Sequence, residues 1–296
     1  MAMILAFLLY ILYFLIVTTI AVSLLLYIYQ CDILYASSFP KGSRTKVTRP
    51  SEYGLPDNEE VLITKDGIKL RCYVLIQPNE AEALRAPTIL SFHANAGNMG
   101  HRLAIAQVLY QKLGCNVVTL SYRGYGLSEG KANEKGLQID AQTVVDYIKD
   151  HPILRYTQLI AHGQSLGGAV AAYIVSKNED DFDGLVLENT FLSVPLLIPH
   201  VFPALRHLVY LCNQKWRTYK SVSTIHRVPI LFLSSLQDEL VPPSHMAKLY
   251  EVASTMKVWK VFGQGTHNDA CLQSDYFETI EEFIRDHVQD EMDSTW

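Results

Sequence analysis

A serine set between a short apolar run and a long apolar stretch narrows the folds open to this chain more than any other feature. Leu159-Ile160-Ala161 reads as a buried strand, Gly163-Gln164-Ser165-Leu166-Gly167 as a sharp turn, and Gly168 to Val175 as a buried helix. Glycine two residues to either side of the serine lets strand and helix approach without a Cβ clash, while the turn holds Ser165 in strained backbone geometry. Its hydroxyl then projects into open space. The backbone N–H of Leu166, at the helix N-terminus, points where an oxyanion would form.

The surrounding pattern extends this unit into a sheet. Val61–Thr64 and Lys69–Ile76 flank Asp66-Gly67, a hairpin signal. The apolar runs Thr88–Phe92, Asn116–Leu120 and Leu159–Ala161 are each followed by a helical stretch. Gly184–Leu187, Ile230–Leu233 and Lys257–Val261 continue the strands, and Ser274–Val288 closes with a helix. Antiparallel strands followed by strand–helix alternation predict an α/β fold, a mainly parallel central sheet flanked by helices. Residues 191–224 interrupt the alternation with an aromatic, proline-broken stretch, Pro195, Pro199 and Pro203 among it, which reads as a small cap. A packed connecting loop without a substrate role is the plainer alternative.

The first thirty residues carry no charged side chain, and Met3 to Tyr29 is almost wholly apolar. A helix of that length reaches about 40 Å, more than the roughly 30 Å hydrocarbon core. The run is too long, and its start too free of basic residues, for a cleaved signal peptide. Residues 1–30 are therefore expected to form a retained transmembrane anchor, residues 31–58 a Pro/Gly linker, and residues 59–296 the catalytic domain. Lys41, Arg44, Lys46 and Arg49 all follow the span, which leans toward a cytosolic domain. The endoplasmic reticulum or another endomembrane is the expected location, with the plasma membrane as the alternative. A net charge of −5 excludes a basic nucleic-acid footprint. Five scattered cysteines form neither a disulfide framework nor a zinc site, so no metal or cofactor is expected.

A serine hydroxyl needs a base and an orienting carboxylate. Asp238 leaves the strand Ile230–Leu233, with Glu239 its neighbouring alternative. His267 lies in a late loop, Gly263 to His267, between a strand and the last helix. The order serine, acid, histidine is the one this fold uses. Of the competing histidines, His162 is expected to pack beneath the turn, His245 to take a surface or supporting role at a helix start, and His287 to be solvated. A second oxyanion donor should come from the loop His93 to Asn98. The backbone N–H of Asn95 is the choice, Ala94 the alternative, and His93 is expected to hold the loop. Arg123, in Ser121-Tyr122-Arg123-Gly124-Tyr125-Gly126, is read as tying down its own loop, the alternative being a contact to an anionic substrate group.

These segments, H-x-N-x-G-N, S-Y-R-G-Y-G-x-S, H-G-Q-S-L-G-G-A and D-E-L-V-P-P-S-H-M, occur in order, and together the chain resembles the membrane-anchored α/β-hydrolases of the fungal bud-emergence (Bem-type) group and their animal relatives. The resemblance spans residues 59 to 290, and the apolar N-terminus matches that group's anchor. It implies Ser165 as nucleophile, Asp238 as acid, His267 as base, and Leu166 with Asn95 as the oxyanion hole. Ala94 departs from the glycine such proteins usually carry after the histidine. The resemblance implies acyl esters or thioesters as substrates, on lipids or lipidated proteins, as with palmitoyl-protein thioesterases or lysophospholipase-like esterases. A non-catalytic membrane adaptor in polarised growth and an acyltransferase are the rival functions.

Overall fold

In the computed structural model, which describes residues 2–289, eight strands form a single sheet. They are β1 (Glu59–Ile63), β2 (Lys69–Leu75), β3 (Thr88–Phe92), β4 (Asn116–Ser121), β5 (Leu159–Gln164), β6 (Gly184–Glu188), β7 (Ile230–Ser235) and β8 (Lys257–Phe262). Their order is β1-β2-β4-β3-β5-β6-β7-β8. The β1–β2 hairpin is antiparallel and joins β4 antiparallel; from β4 to β8 every pairing is parallel. The central strands β3, β4, β5, β6 and β7 are buried along their whole length. That is why they read as unbroken apolar runs rather than as alternating ones.

The helices are α1 (Ala2–Leu34), α2 (Glu80–Arg85), α3 (Leu103–Gln111), α4 (Glu134–Asp150), α5 (Leu166–Lys177), α6 (Val194–Val201), α7 (Thr218–Ser223), α8 (Pro243–Val252) and α9 (Tyr276–His287). Two apolar layers form around the sheet. One holds Leu137, Val144 and Val145 of α4 with Val170 and Ile174 of α5. The other holds Leu103 and Ile105 of α3 with Ile280 and Phe283 of α9. α4 shows how its sequence makes it a helix. Asn133 caps its first turn by accepting from Gly136 N–H at 2.9 Å, and Leu137, Ala141, Val144, Val145 and Ile148 recur on its buried face.

Several boundaries differ from the sequence expectation. β7 runs through Ser235, so Ser234 and Ser235 belong to the strand and not to the loop that follows. Polar residues close a buried strand here because the Asn189 side chain takes the Ser235 N–H at 2.8 Å and gives its own N–H to the Ser235 hydroxyl at 3.0 Å. Helix α2 was not anticipated; it is one short turn and a half, capped by Asn79, whose side chain accepts from Glu82 N–H at 2.8 Å. Residues 191–224 fold into α6, a 3-10 segment Pro203–Leu211 and α7; Pro203 opens the 3-10 segment, whereas Pro195 and Pro199 lie within α6 and do not break it. Residues 290–296 of the expected catalytic domain lie outside the described residues.

The expected linker is the clearest correction. α1 continues to Leu34, and the chain after it packs onto the sheet domain. Tyr35 is buried, its hydroxyl donating to Gln214 Oε1 at 2.9 Å and accepting from Trp216 Nε1 at 3.0 Å. The carbonyls of Ser43 and Lys46 accept from the Asn98 side chain at 2.9 and 3.0 Å, and that of Thr48 from the Tyr73 hydroxyl at 3.0 Å. Proline and glycine mark irregular backbone, but the carbonyls of irregular backbone can be satisfied by side chains and then pack as firmly as a strand. Among the described residues, α1 alone is long and apolar enough to cross a membrane, by length and composition, and its apolar window is wholly unburied.

Arg123 takes the structural role expected of it. Its Nε and backbone N–H both donate to the Asp140 carboxylate at 2.8 Å, and its two terminal nitrogens donate to Asp66 at 2.7 and 3.0 Å. The guanidinium thus pins the hairpin turn to α4, and Gly136 is glycine because a Cβ there would stand 2.4 Å from Arg123 Cδ. Removing one partner of a buried pair leaves the other charge uncompensated. Arg123→Ala is expected to lower unfolding stability by about 3 kcal/mol, measured by chemical denaturation, with Arg123→Lys recovering only a part because it lacks the planar fork.

Candidate active site

Ser165 sits where β5 turns into α5, at φ 55° and ψ −117°, a backbone conformation that side chains rarely adopt. Neighbouring strands hold it there. Its N–H donates to Glu188 O at 2.9 Å, and its carbonyl accepts from the Thr190 hydroxyl at 2.7 Å. The glycines allow the approach: a Cβ on Gly163 would lie 2.2 Å from Gly167 O, and one on Gly167 would lie 2.0 Å from Phe92 O. Nothing larger than hydrogen fits at either position.

Loops leaving neighbouring strands bring in the other candidate residues. His267 Nδ1 lies 2.8 Å from Oδ2 and 3.0 Å from Oδ1 of Asp238. An ionised carboxylate only accepts, so this pairing puts the ring proton on Nδ1 and leaves Nε2 as a lone pair, the form a general base needs. Asp238 is itself oriented by the N–H groups of Leu240 and Val241, at 2.9 and 2.7 Å from Oδ1. Glu239, the alternative acid, instead accepts from the backbone N–H of His267 at 3.2 Å, away from the imidazole. The His267 carbonyl accepts from the Gln164 side chain at 2.7 Å, which ties the histidine loop to the residue just before Ser165. No hydrogen bond joins the Ser165 hydroxyl to His267 Nε2, and among the described residues neither atom bonds any other group; the ring is held through Nδ1 alone. Such contacts are commonly loose in a resting site and tighten once substrate is bound.

The backbone N–H groups of Leu166 and Asn95 are likewise not taken up by any hydrogen bond among the described residues. The Asn95 side chain, by contrast, is fully engaged. Its Nδ2 donates to Leu34 O at 2.7 Å, and its Oδ1 accepts from the Tyr125 hydroxyl at 2.8 Å and from Ala36 N–H at 3.4 Å. The loop that offers the second candidate oxyanion donor is therefore held by the end of α1. His93 is fully buried, bonded through Nδ1 to Ala94 O at 2.7 Å, and its own carbonyl accepts from the Tyr122 hydroxyl at 3.0 Å. It holds the loop, as expected of it.

The remaining histidines divide the same way. His162 is buried beneath the turn, its Nε2 at 3.7 Å from Glu188, which also accepts from the Tyr276 hydroxyl at 2.6 Å. Burial raises the Glu188 carboxyl, but those two partners outweigh it and leave it below the ordinary value. His245 is buried, not exposed, and its Nδ1 accepts from the N–H of Leu192 at 3.3 Å, joining α8 to the start of the cap. His287 is solvent-exposed at the end of α9. Among the described residues, no three His, Cys, Asp or Glu side chains are grouped as a metal site.

Two residues escaped the sequence reading. Asn189, at φ 43°, spans both loops: besides Ser235, its Nδ2 reaches the carbonyls of Thr266 and His267 at 3.3 Å each. Arg102 donates to Gln164 Oε1, steadying the amide that holds the histidine loop. An asparagine two residues beyond a buried strand was the only signal for the first, and none marked the second.

The family described as serine aminopeptidase, S33, matches residues 87–224. Protein bem46 of Schizosaccharomyces pombe is 43% identical over 273 residues, covering 92% of this chain and 90% of its own. The chain belongs to the bem46 family of α/β-hydrolases. The membrane protein YNL320W of Saccharomyces cerevisiae is 41% identical, covering 90% of this chain and 92% of its own. Among solved structures, the Pyrococcus furiosus esterase Pf2001 superposes with a TM-score of 0.68 over 82% of this chain and 99% of its own, at 14% identity. At that identity the likeness speaks for the fold, and the bem46-family chain shares the α/β-hydrolase architecture with it.

Burial pushes His93 down to about 3 from 6.5, so the ring is neutral in the folded protein. The unfolded chain protonates it below pH 6.5, binding a proton the folded state does not, so stability falls as pH drops below that value. Between pH 6.5 and 5 the wild type is expected to lose stability more steeply than His93→Gln, the difference approaching about 1.4 kcal/mol per pH unit in denaturant titrations.

Proposed function

We propose that this bem46-family protein is a membrane-anchored serine hydrolase of acyl esters or thioesters. The observation that carries the reading is the His267 ring held by both carboxylate oxygens of Asp238, in a loop tied through Gln164 to the strained Ser165. His267 Nε2 takes the Ser165 proton as the hydroxyl oxygen attacks the acyl carbonyl, and Asp238 stabilises the imidazolium that forms. The N–H groups of Leu166 and Asn95 receive the oxyanion, and the ring then protonates the departing alcohol or thiol. Water, deprotonated by the same Nε2, attacks the acyl-serine; collapse of the second tetrahedral intermediate releases the carboxylic acid and returns the proton to Ser165. None of these steps calls for a metal or a cofactor.

The esterase name of the P. furiosus structure and the membrane-protein name of the yeast relative agree with this assignment. The unburied apolar α1 supports a single bilayer span, with lipid or lipidated-protein acyl groups as the substrates within reach. The basic residues after α1 favour a cytosolic domain, and an endomembrane is the location expected of it.

A fluorophosphonate probe should label the folded wild type and leave Ser165→Ala unlabelled; an unlabelled wild type of intact fold would defeat the reading. Where an ester or thioester is turned over, Asp238→Asn should retain Ser165 but lower kcat by about 10⁴-fold, because the imidazole then favours the wrong tautomer.

A further inference from the structure

The last turns of α1 and the cap enclose an apolar cleft that the chemistry above does not use. Leu26, Ile33 and Leu34 line one side; Ile198, Phe202 and Leu205 line the other. Gln30 is the polar residue along the helical wall, and its amide is occupied: Oε1 accepts from Asn213 N–H at 2.6 Å and Nε2 donates to Tyr27 O at 2.7 Å. What remains facing the cleft is hydrocarbon and Cys212, whose thiol donates to Gln214 O at 3.1 Å. Leu34, on the cleft wall, has its carbonyl bonded to the Asn95 side chain in the candidate oxyanion loop. A residue of the cleft wall is therefore bonded to the side chain of Asn95, whose backbone N–H is assigned to the oxyanion.

The helical wall of the cleft is the end of the apolar span. α1 has 33 residues, about 50 Å of helix against a hydrocarbon core of roughly 30 Å, so its final turns reach the interface. The cap beside those turns suits the same zone. Leu196, Val201, Phe202 and Tyr210 are exposed on it. From Phe191 to Thr224 there is no Asp or Glu, while Arg206, Lys215, Arg217 and Lys220 are present. Glu134 lies against Lys215 and Arg217, but the segment itself adds only basic residues, and with its exposed apolar and aromatic side chains it matches the boundary of an anionic leaflet.

We propose that this cleft is an acyl-chain site, filled from the bilayer by the hydrocarbon tail of a membrane-resident ester or thioester whose carbonyl reaches Ser165. The proposal rests on the hydrolase reading for the fate of the carbonyl, but the cleft's occupancy can be read without turnover. An apolar groove gains by excluding water from both its walls and its guest, and an alkyl chain brings only hydrocarbon to it.

The test uses the full-length protein in liposomes of phosphatidylcholine and phosphatidylserine, with a palmitoyl ester carrying a diazirine at its terminal carbon. Photolysis should label peptides spanning residues 26–34 and 194–212, in the wild type and in Ser165→Ala alike. Ile198→Trp should cut that labelling about 10-fold and lower the ratio of palmitoyl to butyryl ester turnover by a similar factor. Leu205→Trp, on the same wall, decides the matter should Ile198→Trp fail to accumulate. Labelling confined to α1 before Leu26, or labelling and chain-length preference that both tryptophans leave unchanged, would overturn the proposal. Cleft labelling without turnover of either ester would overturn the hydrolase reading and leave the cleft standing.

Discussion

The geometry of Ser165 is the constraint around which the rest is arranged. A left-handed backbone at a residue with a side chain costs of order 1–3 kcal/mol and persists only where its surroundings over-determine it. Here β6 and the residues beyond it take both the N–H and the carbonyl of Ser165, and Gly163 and Gly167 let β3, β5 and α5 close to distances that no Cβ would allow. The strain directs the hydroxyl outward at the carboxyl ends of the parallel strands. Ligands of open α/β sheets bind in that region because the loops there are free to diverge while the strands beneath them stay fixed.

A second layer of polar bonds turns those loops into one unit. Asn189 bonds Ser235 at the end of β7 and the carbonyls of Thr266 and His267, and Gln164 bonds His267 again from the serine side. Asp238 is aimed by two backbone N–H groups before it meets the imidazole. Asn189, Ser235, Gln164, Asp238 and His267 are buried, so each would cost free energy if left unpaired, and they hold the network in one arrangement. The same reasoning extends to the far side. Asn95 and Tyr35 fasten the candidate oxyanion loop and the base of the cap to the chain leaving α1, so the apolar helix is continuous with the site.

Most of the frame was readable in advance because its signals are local. Buried parallel strands produce apolar runs, and the hairpin declares itself through Asp66-Gly67. The serine turn needs glycine at fixed offsets. Asp238 and His267 were nameable because strand ends are where loops carry chemistry, and Arg123 because its loop had a charge to satisfy. The segment after α1 was misread for an instructive reason. Its prolines and glycines describe the backbone path, whereas its packing depends on Asn98, Tyr73 and Gln214, which lie 25 to 179 residues away along the chain.

The chain alone thus determined the order of strands and helices, the strained serine and an apolar span at its start, since each is written in neighbouring residues through periodicity and steric demand. Tertiary structure alone decided that Asp238 rather than Glu239 meets the imidazole and that Asn189 joins two loops. It also decided that the end of α1 and the cap share an apolar cleft. Those outcomes turn on which side chains face one another across the folded sheet, and residues far apart along the chain carry no local signal of such a meeting.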